Sequence, residues 1–209
     1  MYGYNQRIVL LGYSGHAYVI ADAILKCKLN LYGYVALKHS LTNYYKLEYL
    51  GFEHDQDFQG WGKGYGFVLA VGNNLTRRNF FHNFSVRDES IVSVFHPSAV
   101  ISELVSIAKG VVVLANANIN ALSKLGDGVI INTGATVEHE CTIGDFVHIA
   151  PGATLAGNVC VGDNTFIGAN AVVKEGVKIG KNVVIGAGTV VLRDIEDGMK
   201  VLGNPGRIR

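Results

Sequence analysis

Charge is scarce and nearly balanced in this 209-residue chain: 17% of residues are Asp, Glu, Lys or Arg, and the formal net charge is +1. A sequence so neutral gives no electrostatic reason to expect nucleic acid or an anionic membrane as partner. No apolar run reaches the roughly 18 residues that cross a bilayer. The opening, MYGYNQRIVLLG, lacks the basic segment, long apolar stretch and small-residue cleavage site of a secretion signal. A cytoplasmic protein is expected. Cysteine amounts to Cys27, Cys141 and Cys160. That odd number, without Cys-x-x-Cys spacing, points to neither a disulfide framework nor a structural zinc site.

Hydrophobic residues, by contrast, make up 49% of the chain, enough for a sizeable core. Glycine is the informative excess, with 26 residues against three prolines. Most of the glycines lie in the second half at regular spacing, which directs attention to repeats. Stepping by six from Ile101 meets Ile107, Val113, Ile119, Leu125, Ile131, Val137, Ile143, Ile149, Leu155, Val161, Ile167, Val173, Ile179, Ile185 and Val191 before Asp197 breaks the run. Two positions before each aliphatic stands mostly a small or β-branched residue, such as Ala135, Cys141 or Ala153, and one position after often a glycine, as at Gly126, Gly144 and Gly162. A six-residue period suits neither a free helix nor a hairpin sheet. It suits a β-solenoid whose short strands each turn one aliphatic inward, with Gly or Asn relieving strain at the corners. About five coils are expected between Ile101 and Val191.

The first half has no such period. RIVLL (7–11), LYGYVAL (31–37), FVLAV (67–71) and IVSVF (91–95) read as strands, and AYVIADAILKC and NLTRRNFFHNF as helices between them. Strands alternating with helices predict a small parallel α/β domain over 1–95, Rossmann-like, ahead of a solenoid domain over 96–209. The turn GYSGH after the first strand carries only Gly12 and Gly15. It therefore falls short of the Gly-x-Gly-x-x-Gly dinucleotide fingerprint. A tight turn at a helix start still aims N–H groups outward and can cradle a phosphate.

Glu138, His139 and Glu140 interrupt the packing repeat with three titratable groups. They are either a solvated corner or a reaction centre. One turn of three hexapeptides beyond His139 stands Gly157, and residues one coil apart stack at about 4.8 Å. A glycine there leaves open space and an accessible N–H beside the imidazole, as a base next to an oxyanion donor requires. A His flanked by carboxylates can also have one ring nitrogen held. His148 lies about half a turn further on. Metal binding competes for the same residues, but His139 and His148 are the two histidines beyond position 100, too few for a three-histidine zinc site. No metal is expected.

RIVLLGYSGHA at the front, VGNN at 71–74, HPSAVIS at 96–102, the long block from NTGATVEHECTIGDF onward and VLGNPGRI at the end together resemble the hexapeptide-repeat nucleotide-sugar N-acetyltransferases. Members acting in bacillosamine and related 4-amino-sugar pathways come nearest, beside the sialic acid O-acetyltransferase group. The resemblance implies a left-handed parallel β-helix, a homotrimer with sites between neighbouring solenoids, and direct transfer from acetyl-CoA to the C4 amine of a nucleotide-linked 4-amino-4,6-dideoxyhexose. It implies His139 as general base, Glu140 as the carboxylate that tunes it, and Gly157 as oxyanion donor. Coenzyme contacts fall on His148, Gly157, Ala169 and Ala187. Nucleotide-sugar contacts fall on Ser14, Gly15, His16 and Gly72, and Asn132 is a further candidate for orienting the sugar. Where uridine-recognising members carry an Asp pair this chain has Ala36 and Leu37, so UDP, dTDP and GDP all stay open. A sugar O-acetyltransferase and a non-catalytic nucleotide-sugar-binding scaffold are the alternative functions.

Overall fold

A computed structural model describes residues 6–56 and 58–209; the first five residues, part of the segment scanned for a secretion signal, lie outside them. β1 (Arg7–Leu11), α1 (Gly15–Lys26), β2 (Asn30–Val35), β3 (Glu48–Tyr49), β4 (Gly66–Leu69), α2 (Asn74–Ser85) and β5 (Ser90–Ile91) build the first half. The five strands form a parallel sheet in the order β3-β2-β1-β4-β5. Central β1 is apolar on both faces, as a strand covered on both sides must be. Ile8 and Leu10 pack with Ala17, Ile20 and Ile24 of α1, whereas Val9 and Leu11 pack with Phe80, Phe81 and Phe84 of α2. Gly12 ends β1 at φ +96°, and a Cβ there would run into the Val71 side chain, so only glycine makes this turn into α1.

IVSVF, expected as one strand, serves both halves. Its start is β5, paired with β4, while β6 (Val94–Phe95) pairs with Val112–Val113 and opens the solenoid. From there two-residue strands recur every six residues, each parallel to the strand one coil away, as Val137 is to Ile119 and Leu155. The coil is triangular, with parallel stacks of six, five and seven strands on its three faces. It therefore outruns the expected five coils at both ends. The break at Asp197 is a shortened coil. Ile195 pairs with Ile179 and Val201 with Ile185 at a spacing of 16 instead of 18, so the aliphatic series resumes two residues early.

The aliphatic residue and the small one two before it point inward together: Ala135 and Val137, Cys141 and Ile143, Ala153 and Leu155 are all buried. Strain at the corners falls elsewhere than expected. The positive φ values, +55° to +70°, occur three residues after each aliphatic, from Gly110 through Asn116 and onward to Gly188. The glycine directly after the aliphatic answers a close approach instead. A Cβ at Gly144 would collide with the Asp163 carboxylate and backbone of the next coil. Along that corner Lys109, Asp127 and Asp145 each donate their backbone N–H to the Asp one coil on, at 2.9, 2.9 and 3.1 Å.

The outward side chains give the three faces different fates. Val94, Val112 and Ile130 form an apolar face that joins the core of the α/β half, so the two halves pack as one body. Ser106, Lys124, Thr142, Cys160 and Lys178 form a polar face. Val100, Asn118, Thr136, Thr154, Val172 and Val190 form the remaining face, which carries no charge.

Candidate active site

His139 and Glu140 follow the strand Thr136–Val137, at the corner between the uncharged and polar faces. His139 Nδ1 lies 3.1 Å from Glu140 Oε2, and both side chains are more than half exposed. Glu140 holds this position with φ +60°, a left-handed conformation that costs energy for any residue but Gly or Asn. Glu138, which spacing alone could not separate from Glu140, accepts a 2.8 Å bond from Asn120 Nδ2 one coil below. Gly157 lies over the imidazole: a Cβ there would stand 2.5 Å from His139 Cε1 and 2.6 Å from Nε2. The Gly157 N–H donates to no group among the described residues, whereas its neighbour Asn158 N–H is committed to the His139 carbonyl at 2.8 Å. With Nδ1 donating to Glu140, Nε2 is the free lone pair, and it faces solvent beside an unused N–H.

His148 stands elsewhere. It lies on the apolar face, beneath the α/β half, and is only 7% exposed. Its Nδ1 donates to the Gly72 carbonyl at 3.1 Å, and Asn132 Nδ2 lies 3.0 Å from its Nε2. That pattern fixes the neutral tautomer and leaves His148 no free lone pair. The His16 ring is 5.6 Å away. The structure thus brings Gly72, His16, His148 and Asn132 together, with Ser14 and Gly15 exposed just before His16 at the open start of α1, where Ser14 makes no side-chain capping bond. Ala169 and Ala187 stack one coil apart on the same corner of the solenoid as Asn132. His139, Glu140 and Gly157 occupy the next corner, across the uncharged face. His148 is therefore not beside His139, as half a turn of chain suggested, because half a turn carries it past another corner.

Arg77 of α2 was not foreseen. It is fully buried, and its guanidinium donates to the carbonyls of Gly128, Val71, Gly72 and Phe146 and to Asn74 Oδ1 at 2.7 to 3.2 Å. No carboxylate is among these partners. Burial lowers its pKa to about 9, still a cation at neutral pH. Burial, helped by this charge, depresses His148 to about 3 and His16 to about 4. Both rings are neutral when folded and take up protons near pH 6.5 when unfolded, so their contribution to stability is complete above about 6.5 and is lost as pH falls toward 4 and below. Thermal unfolding should show stability declining by about 1.4 kcal/mol per pH unit for each such histidine in that window. His148→Gln, which can make both hydrogen bonds without titrating, should flatten the decline; an unchanged slope would contradict the assignment.

Comparison with known proteins bears on both halves. Residues 7–84 match the family model of the PglD N-terminal domain, and 122–157 and 159–193 match that of the bacterial transferase hexapeptide repeat. The acetyltransferase domain of PglB from Neisseria gonorrhoeae is 33% identical, with 98% of this chain and 100% of that one covered at a TM-score of 0.92. The same domain in complex with acetyl coenzyme A matches at 33% identity, equal coverage and a TM-score of 0.88. PerB from Caulobacter crescentus, in complex with CoA and GDP-perosamine, is 34% identical, with 98% of both chains covered and a TM-score of 0.88. No curated protein matched in sequence.

Proposed function

The chain belongs to the hexapeptide-repeat nucleotide-sugar N-acetyltransferases, and on that footing we propose that it moves the acetyl group of acetyl-CoA onto the C4 amine of a nucleotide-linked 4-amino-4,6-dideoxyhexose. The observation that carries the chemistry is the His139–Glu140 pair lying against Gly157. His139 Nε2 takes a proton from the sugar amine, whose nitrogen forms the new bond to the thioester carbon. The Gly157 N–H meets the negative charge that develops on the carbonyl oxygen. The C–S bond then breaks, and the thiolate recovers the proton from the imidazolium. Cys141, which follows Glu140 in the chain, is buried in the solenoid core and does not face the cluster to carry the acetyl group.

Ser14, Gly15, His16 and Gly72 of the α/β half hold the nucleotide sugar in this reading, with Asn132 orienting it. His148, Ala169 and Ala187 serve the coenzyme side. All of these lie around the Asn132 corner, whereas His139, Glu140 and Gly157 lie on the next corner of the same chain, so the site is completed by a second chain. A cyclic trimer in which the His139 corner of one chain meets the Asn132 corner of the next turns the uncharged face toward the threefold axis. That face is the one on which a charge would be buried. Thr154→Arg should accordingly convert trimers to monomers in sedimentation and abolish turnover while acetyl-CoA binding weakens; a trimeric, active variant would contradict the arrangement.

Thiol release from acetyl-CoA tests the reaction itself. Release is expected with a nucleotide-linked 4-amino sugar. Release only with a hydroxyl sugar would make the protein an O-acetyltransferase, and binding without release a scaffold. As for location, no helix among the described residues is long and apolar enough to cross a membrane; we place the enzyme in the cytoplasm, where acetyl-CoA and nucleotide sugars are made.

A further inference from the structure

We propose that Glu53, with Asn83, reads the base of the nucleotide and selects guanine; the inference rests on the nucleotide-sugar reading above. A cavity of about 500 Å³ opens at the C-terminal ends of β1 and β2, between the loop after β3 and one side of α2. Its size is that of a ligand pocket, and it lies outside the carboxyl ends of the strands, the side on which an open parallel sheet binds ligands. Gly12 lies in its wall and leads into Ser14 and Gly15. A nucleotide sugar laid across this turn would put its base in the cavity, its diphosphate at the start of α1, and its sugar toward Gly72 and His16.

Glu53, His54, Thr76, Asn79 and Asn83 are the polar side chains of the cavity, and two of them hold buried atoms without a partner. Ala36 and Leu37 contribute none, and Glu53 supplies the one carboxylate among the described lining residues. Glu53 is 7% exposed, and its Oε2 has no hydrogen-bond partner. The exposed His54 approaches only Oε1, at 3.6 Å. Asn83 Nδ2, also buried, is unpartnered and lines the same cavity. Burial pushes the Glu53 carboxyl up, against the opposing pull of a backbone N–H and of His54. Such groups are costly to bury unless something completes them.

A carboxylate beside an amide donor matches one base. Guanine presents N1–H and the N2 amine side by side, both donors for Glu53, with O6 next to N1 as acceptor for Asn83. Uracil and thymine offer a single N3–H between two carbonyl oxygens, which would turn their lone pairs on the carboxylate. Adenine places an acceptor where guanine has N1–H.

Calorimetric titration of the full chain with GDP, IDP, UDP and dTDP tests this. GDP should bind tightest, with UDP and dTDP weaker by at least about 10-fold. IDP, which lacks only the N2 amine, should lose about 10-fold, and Glu53→Gln should weaken GDP by about 10- to 100-fold, the usual worth of a bidentate base contact, without changing acetyl-CoA binding. IDP binding as tightly as GDP would overturn the proposal, and because that comparison uses the unaltered chain it holds whether or not the variant folds. So would UDP or dTDP matching GDP, or Glu53→Gln retaining GDP affinity. If UDP- or dTDP-linked amino sugars are acetylated and GDP-linked ones are not, the base assignment fails and the transfer reading stands. If no nucleotide binds and no nucleotide amino sugar is acetylated, both fail.

Discussion

Alanine at position 139 should lower kcat by about 10² to 10⁴, the usual worth of a positioned general base, while acetyl-CoA still binds. The expectation follows from which histidine has a free lone pair. His139 turns Nε2 to solvent beside the unused N–H of Gly157. His148 has Nδ1 committed to Gly72 and Nε2 to Asn132, and it stays neutral throughout the physiological range. Glu140→Gln should be milder, below about 10-fold, because the amide oxygen can still accept from Nδ1. Gly157→Ala should approach the severity of the His139 change, since its Cβ would stand 2.5 Å from the imidazole and must displace it. Single-turnover measurements at saturating substrates separate these cases. If His148→Ala stops turnover and His139→Ala leaves it nearly intact, the base is misassigned and the exposed cluster is only a solvated corner.

The largest expected effect on stability belongs to Arg77. Arg77→Ala removes a buried guanidinium on which the carbonyls of Val71, Gly72, Gly128 and Phe146 depend, and it leaves them in a dry junction with a cavity beside them. Unsatisfied buried acceptors cost roughly 1–3 kcal/mol each before relaxation, and large single-site losses reach about 3–5 kcal/mol. In a chain of this size that is roughly 6–20 °C in Tm. Arg77→Met restores the volume but not the donors, so it should recover only the part of the loss that comes from packing. The same donors fix the loop that carries Gly72, whose carbonyl also accepts from His148, so surviving protein should bind the nucleotide sugar poorly. A Tm within about 2 °C of the parent for both variants would show that the junction does not depend on this residue.

The solenoid was legible because its constraint is strictly local: every inward position has the same neighbours one coil away, so sixteen aliphatic residues repeat without tertiary information. The stacking of Gly157 over His139 followed from the same period. The shortened last coil was not legible, because Ile195 and Val201 look like an end to the pattern until their pairing is seen. Half of the corner signal was also missed. The left-handed position falls at every sixth residue from 110 to 188 and holds Gly or Asn except at Leu122, Glu140 and Phe146. Two of those exceptions are explained: Glu140 holds His139, and Phe146 docks against Phe81 of α2 at 5.4 Å between ring centroids. Leu122, one coil below Glu140, has no partner that explains it. Arg77 gave no sign, because an arginine on an amphipathic helix is normally solvated and only the docking of the two halves buries this one. The path of the coil, which carries the chain past another corner between residues 143 and 148, separates His148 from His139, which linear distance suggested were neighbours.

A site shared between chains is tested most directly by complementation. Two inactive variants, one His139→Ala and one Gly15→Glu, can be co-expressed with different tags and recovered as mixed assemblies. Gly15 is exposed with nothing within 4 Å of an added Cβ, so the glutamate fits the fold and opposes only the diphosphate. In a mixed trimer of either composition one site of the three pairs the intact His139 of one chain with the intact loop of its neighbour, so about a third of the parental turnover should return. Mixed assemblies as inactive as either variant alone, with both variants folded and trimeric, would mean that each chain builds its site from its own residues.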